Sequence, residues 1–100
     1  MHPGPMVFVR LALFPGGTAE HYAALQAVLD ASAPPERYFF AAGPVEGGWQ
    51  VVQAWRSQED LEAFNDAVLA PAYAALGGPP FPQPPAVTDF TSVQTAPPPP

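Results

Sequence analysis

One hundred residues are enough for one domain with one modest core, and too few for two. Nine acids against three arginines leave a net charge of −6, and Arg10, Arg37 and Arg56 lie far apart, which excludes the clustered basic surface that nucleic acid or an anionic membrane requires. Without cysteine there is neither a disulfide nor a thiolate metal site, and association with a second copy is a natural way to complete so small a core.

Residues 1–5 carry two prolines and a glycine and predict a flexible leader. The opening MHPGPMVFVR has no basic region leading into an apolar stretch and a cleavage site, and no apolar run approaches the ~18 residues of a membrane span. A soluble cytoplasmic protein is the expectation. Met6 to Leu13, nearly all apolar apart from Arg10, predicts a first strand covered on both faces. Phe14-Pro15-Gly16-Gly17 ends it.

Thr18 is the expected N-cap of a helix from Ala19 to about Ala31, with Tyr22, Leu25, Val28 and Leu29 as its buried stripe. Pro34-Pro35 stops it. Arg37 to Ala42 predicts a second strand, and the Gly43 to Gly48 connection is of hairpin length, so the second and third strands should pair antiparallel. The third strand, Trp49 to Trp55, alternates Trp49, Val51, Gln53 and Trp55 against Gln50, Val52 and Ala54.

Ser57-Gln58-Glu59-Asp60 reads as a capping box with aspartate in place of glutamate. Leu61, Phe64, Val68 and Leu69 form the buried stripe of the second helix, while Glu59, Asp60, Glu62 and Asp66 suit its N-terminal dipole and a solvated face. Pro71 should kink or restart this helix, Tyr73 and Leu76 continue its apolar face, and Gly77-Gly78 ends it. Gly77 to Pro85 is a proline-rich connector without regular structure, Ala86 to Thr95 a fourth strand, and residues 96–100 a proline tail. Residues 6–95 thus form a single α+β domain. Its order, β-α-β-β-α-β, is that of a ferredoxin-like protomer with a four-stranded antiparallel sheet.

The apolar first strand ending in FPGGT, the AAGP turn at Ala41 to Pro44, the block GGWQVVQAWRSQEDLEAF and the helix end LAPAYAAL resemble the dimeric α+β barrel superfamily. More narrowly, they are similar to small antibiotic-biosynthesis-monooxygenase-like proteins, over about Met6 to Gln94. The resemblance implies a homodimer in which two protomers face their sheets together. It also implies cofactor-independent oxidation of a small aromatic substrate as the activity to expect, with a non-catalytic ligand-binding or assembly domain as the alternative. Haem-degrading relatives carry a histidine late in the second helix and an asparagine in the first strand; this chain has neither, so haem degradation is not expected.

Six residues are candidates for a substrate site. Arg10, mid-strand among apolar neighbours, either binds an anionic or carbonyl-bearing ligand or pairs with Asp89 on the fourth strand. His21 is either a general acid or base at a cavity mouth or a solvent-facing residue beside Glu20. Tyr22, Tyr38 and Trp55, with Trp49 and Tyr73, either line an apolar pocket or fill the core, and a cavity packed with Phe39, Phe64, Trp55 and Phe90 would leave no room for a ligand. Asn65 and Gln53 are candidate polar orienters. No phosphate-binding glycine loop, nucleophile elbow or metal-ligand spacing occurs, so no cofactor or metal is expected.

Overall fold

A computed structural model of the chain describes residues 6–29 and 33–100. Four strands, β1 (Val7–Pro15), β2 (Arg37–Val45), β3 (Gly48–Trp55) and β4 (Ala86–Ser92), form one open sheet in the order β2-β3-β1-β4. Every neighbouring pair is antiparallel. The leader at residues 1–5 and the expected helix end at Ala31 lie outside the described residues.

The two central strands set the frame. In the β1–β3 register Phe8 faces Trp55, Ala12 faces Val51 and Phe14 faces Trp49, so these six side chains share one face of the sheet. Both helical stretches pack on that face. Leu25 of α1 (Ala19–Gln26) and Ala72 join Ala12, Trp49, Val51 and Phe81 in one buried cluster, and Leu61 joins Phe8 and Trp55 in a second. Trp55 and Leu61 are fully buried, each worth roughly 1.5–3 kcal/mol in transfer terms or more for the larger ring.

The hairpin between β2 and β3 is tighter than the sequence suggests. Gly43, Pro44 and Val45 pair with Gln50, Trp49 and Gly48, leaving only Glu46-Gly47 as the turn. Gly47 takes φ +85°, a value that glycine adopts without the clash a Cβ would bring. Pro44 is tolerated inside the strand because β2 is an edge strand, where a missing N–H need not leave a ladder bond unmade. Strand β4 stops at Ser92 rather than Thr95, and Val93 beyond it is exposed.

Both helix starts carry caps, with one exchange of roles. At α1 the Thr18 hydroxyl accepts the His21 N–H at 3.2 Å, and His21 Nδ1 accepts the Thr18 N–H at 3.1 Å, a complete reciprocal box built with histidine. At the second helix Ser57 Oγ accepts the Asp60 N–H at 3.1 Å, but the return bond expected from Asp60 is not made. The aspartate side chain is one methylene shorter than glutamate, and its oxygens instead accept from Ser57 Oγ and bidentately from Arg56. Helix α1 ends at Gln26, and Val28, expected in its buried stripe, is 40% exposed.

The second helix runs through α2 (Gln58–Phe64), one π-helical turn (Asn65–Leu69) and α3 (Ala70–Ala75), with right-handed helical dihedrals at each junction. The return from π to α winding comes at Ala70, one residue before Pro71, without a break in the helix. The Ala70 N–H reaches back to the Asn65 carbonyl, and Pro71 falls in the first turn of α3, where its missing donor matters least. The extra residue of the π turn advances the inward face, from Leu61 and Phe64 to Asn65, Leu69 and Tyr73.

The opposite face of the sheet carries no helix. Val9, Leu11, Leu13 and Val52 lie half-buried there among their neighbours, with Phe39 at 56% and Phe90 at 50% exposure.

Candidate functional site

Between the sheet and the two helices lies a cavity of about 310 Å³, partly open to solvent. The sheet contributes its floor through Ala12 and Phe14 of β1, Arg37 and Phe40 of β2, and Val51 and Gln53 of β3. Helix α1 supplies Tyr22, Leu25 and Gln26, with Leu29 just beyond it, and the second helix supplies Phe64, Asn65, Leu69 and Tyr73. Phe81, from the proline-rich connector, closes one end by stacking on Phe14 with ring centroids 4.1 Å apart. Small Ala12 mid-strand leaves the room that these aromatic walls enclose.

Arg37 is the charged residue of this lining. Regular alternation along β2 would place Tyr38 with Phe40 on the helix-facing side and Arg37 on the other. An irregularity between Arg37 and Phe39 breaks that alternation: Arg37 pairs opposite Trp55, Phe39 opposite Ala54 and Phe40 opposite Gln53. Arg37 thereby joins the cavity face in place of Tyr38. Its guanidinium lies over three rings, 4.7 Å from the Phe40 centroid, 5.6 Å from Phe64 and 5.9 Å from Trp55. Burial pulls its pKa below the ordinary arginine value, opposed in part by the nearby Tyr22 oxygen, but arginine remains charged. Burial also raises the pKa of Tyr22 and Tyr73, so both phenols keep their protons at neutral pH.

Gln53 is the best-oriented neutral polar group. The indole N–H of Trp55 can only donate, and it donates to Gln53 Oε1 at 2.7 Å. That bond fixes the amide, so its NH2 is the end left for other partners. Trp55 is fully buried and does not line the cavity; its part is to hold Gln53 and to pack on Phe64. Trp49, stacked on Tyr22 at 5.1 Å, has no hydrogen-bond partner for its buried indole N–H among the described residues.

Of the six residues singled out in the sequence, Tyr22 and Asn65 come together at the cavity. Arg10 does not reach it. Its Nε and Nη2 donate to the two carboxylate oxygens of Asp89 at 2.8 and 2.9 Å, across directly paired positions of β1 and β4. Those bonds raise the Arg10 pKa against the opposing effect of burial, and hold the Asp89 carboxyl below its ordinary value of 3.8. His21 is engaged in the α1 cap and meets Phe81 edge-on at 6.0 Å. Tyr38 sits at the β2 irregularity. Phe39 and Phe90 lie on the far face of the sheet, so they do not fill the cavity.

Arg37, Gln26, Phe40 and Phe81 escaped the sequence reading. For Phe81 a signal was present, a lone aromatic among prolines that must be anchored somewhere. Arg37 had none, because the irregularity that turns it inward involves neither glycine nor proline. No protein-family model, curated protein or solved structure matches the chain.

Proposed function

We propose that this protein binds a small aromatic molecule in the cavity between its sheet and its helices. The observation that carries the reading is the cavity itself. It combines aromatic and aliphatic walls with a few converging polar groups, and its volume lies at the lower end of the ~300–1,000 Å³ usual for small-molecule sites, which suits one or two rings. Calorimetric titration with naphthalene-sized compounds tests it, with Leu69→Trp as the control that fills the space. Binding by the native chain and loss of binding in a folded Leu69→Trp variant is the expected outcome. Binding unaffected by that substitution would place the ligand elsewhere.

The resemblance to monooxygenase-like barrels extends the reading to catalysis, in which an electron-rich aromatic substrate itself reduces oxygen while the cavity positions it. Oxygen uptake with phenolic and anthrone-type compounds tests this extension. A rate no higher than that without protein removes the catalytic version and leaves a binding domain.

The same proposal gives the protomer the ferredoxin-like plan and pairs two copies sheet to sheet as an α+β barrel. The antiparallel order β2-β3-β1-β4 and the apolar, helix-free face around Leu11, Phe39 and Phe90 support it. Light scattering at micromolar concentration should give twice the mass of the chain, and Leu11→Arg, opposite Val52 and Thr88 on that face, should give the monomer. A monomeric native chain rejects the pairing.

A further inference from the structure

The charge pattern of the cavity narrows the ligand. The chain is acidic, yet among the described residues no aspartate or glutamate lines the cavity, and the ionised group there is Arg37. The other two arginines are each held bidentately by a carboxylate, Arg10 by Asp89 and Arg56 by Asp60. Among the described residues, no carboxylate lies within ion-pair distance of Arg37. A half-buried guanidinium surrounded by rings has lost much of its water, and a charge in that position favours any anion that can replace it.

Several neutral polar groups can donate to an anion, and the amides of Gln26 and Asn65 can turn either end to a ligand. Trp55 occupies the Gln53 oxygen, so Gln53 offers its NH2, and the half-buried phenols of Tyr22 and Tyr73 stay protonated and can donate. The cavity can therefore meet an anion with several donors and one cation. Three aromatic rings lie within 6 Å of the Arg37 guanidinium carbon, and a guanidinium fork is the group that receives a planar carboxylate through two parallel hydrogen bonds.

We infer that the ligand is an aromatic carboxylate of one or two rings, its ring system against Phe14, Phe40 and Phe64 and its carboxylate on Arg37 and the Gln53 amide. The inference rests on the reading of the cavity as an aromatic-binding site and adds the charge.

Isothermal titration of the full chain with 2-naphthoate and its neutral counterpart 2-naphthamide reads that charge directly. Naphthoate is expected to bind at least about 10-fold more tightly. Arg37→Gln should cut naphthoate affinity by about 10- to 100-fold and leave naphthamide within about 2-fold, removing the preference. If Arg37→Gln does not fold, Arg37→Lys, which keeps the charge without the planar fork, should retain the preference while losing about 3- to 10-fold in naphthoate affinity. Equal affinity for the two compounds, or a preference that survives loss of the charge at position 37, overturns the inference and leaves the aromatic pocket standing. Binding of neither compound overturns both.

Discussion

Trp55→Phe probes the bond that holds the cavity's amide in place. The indole is fully buried between Phe8, Leu61 and Phe64, and its N–H donates to Gln53 Oε1 at 2.7 Å. Replacement by phenylalanine keeps an aromatic ring but removes part of its volume, which costs about 1–2 kcal/mol where the surroundings relax only partly. It also removes a hydrogen bond with a net value of about 1 kcal/mol, and more if the Gln53 oxygen is left without a partner. The expected total is about 2–3 kcal/mol. In a domain of this size, that lowers the melting temperature by roughly 8–24 °C.

Trp49→Phe is the matched control. Trp49 is also buried, but its N–H is unpartnered among the described residues, so the same loss of volume is offset by removal of an unsatisfied donor. Urea titration at one fixed protein concentration, with the slope m compared between variants, gives both values on one scale. Trp55→Phe should be the more destabilising by about 1–3 kcal/mol. Equal costs at the two positions would refute the assignment of a structural hydrogen bond to Trp55 and with it the fixed orientation of Gln53.

Two further outcomes follow from the geometry. A Cβ at Gly48 would collide with the Phe14 carbonyl and lie 3.2 Å from the Gly16 nitrogen, all backbone that cannot swing aside, so Gly48→Ala should cost about 1–3 kcal/mol in thermal or urea unfolding. Gly43→Ala, which meets nothing within 4 Å, should stay within about 0.5 kcal/mol of the native chain and serves as its control. The Asp89 carboxyl, depressed by its hydrogen bonds to Arg10, contributes stability that is present above its unfolded value of 3.8 and is lost as pH falls through the lower folded value. Melting temperatures between pH 6 and pH 2 should therefore fall less steeply in Asp89→Asn than in the native chain, and parallel curves would show that the pair carries no pH-dependent stability.

The elements were legible where side-chain pattern and turn chemistry act locally. The apolar run of β1, Gly47-Gly48 before β3, and the Thr18 and Ser57 caps all stand where the residues place them. Boundaries shifted where a neighbour decided the outcome. Pro44 reads as a breaker, yet an edge strand accommodates it; Val28 reads as buried, yet α1 ends two residues earlier. The site was the least legible part. Tyr22 and Asn65 follow helical spacing into the cavity, although Asn65 does so with the help of a π turn that Pro71 only hints at. The exchange of Tyr38 for Arg37 depends on how β2 pairs with β3, a long-range match that period-two alternation alone cannot express. Arg10, the charge most conspicuous in sequence, proved to be matched to the aspartate directly across the strand.

The lack of carboxylates among the described residues that line the cavity has a kinetic side. Far from the surface an anion meets a molecule of net charge −6, with exposed Glu59, Glu62 and Asp66 along one helix, and is repelled. Within a few ångströms of Arg37 it is attracted. The two influences have different ranges, since the Debye length is ~30 Å at 0.01 M salt but ~10 Å at 0.1 M. Added salt thus weakens the distant repulsion before it touches the partly desolvated contact. For an anionic ligand, encounter would quicken with ionic strength while residence on Arg37 changed little, so the protein would capture such a molecule faster in salty solution than in dilute buffer.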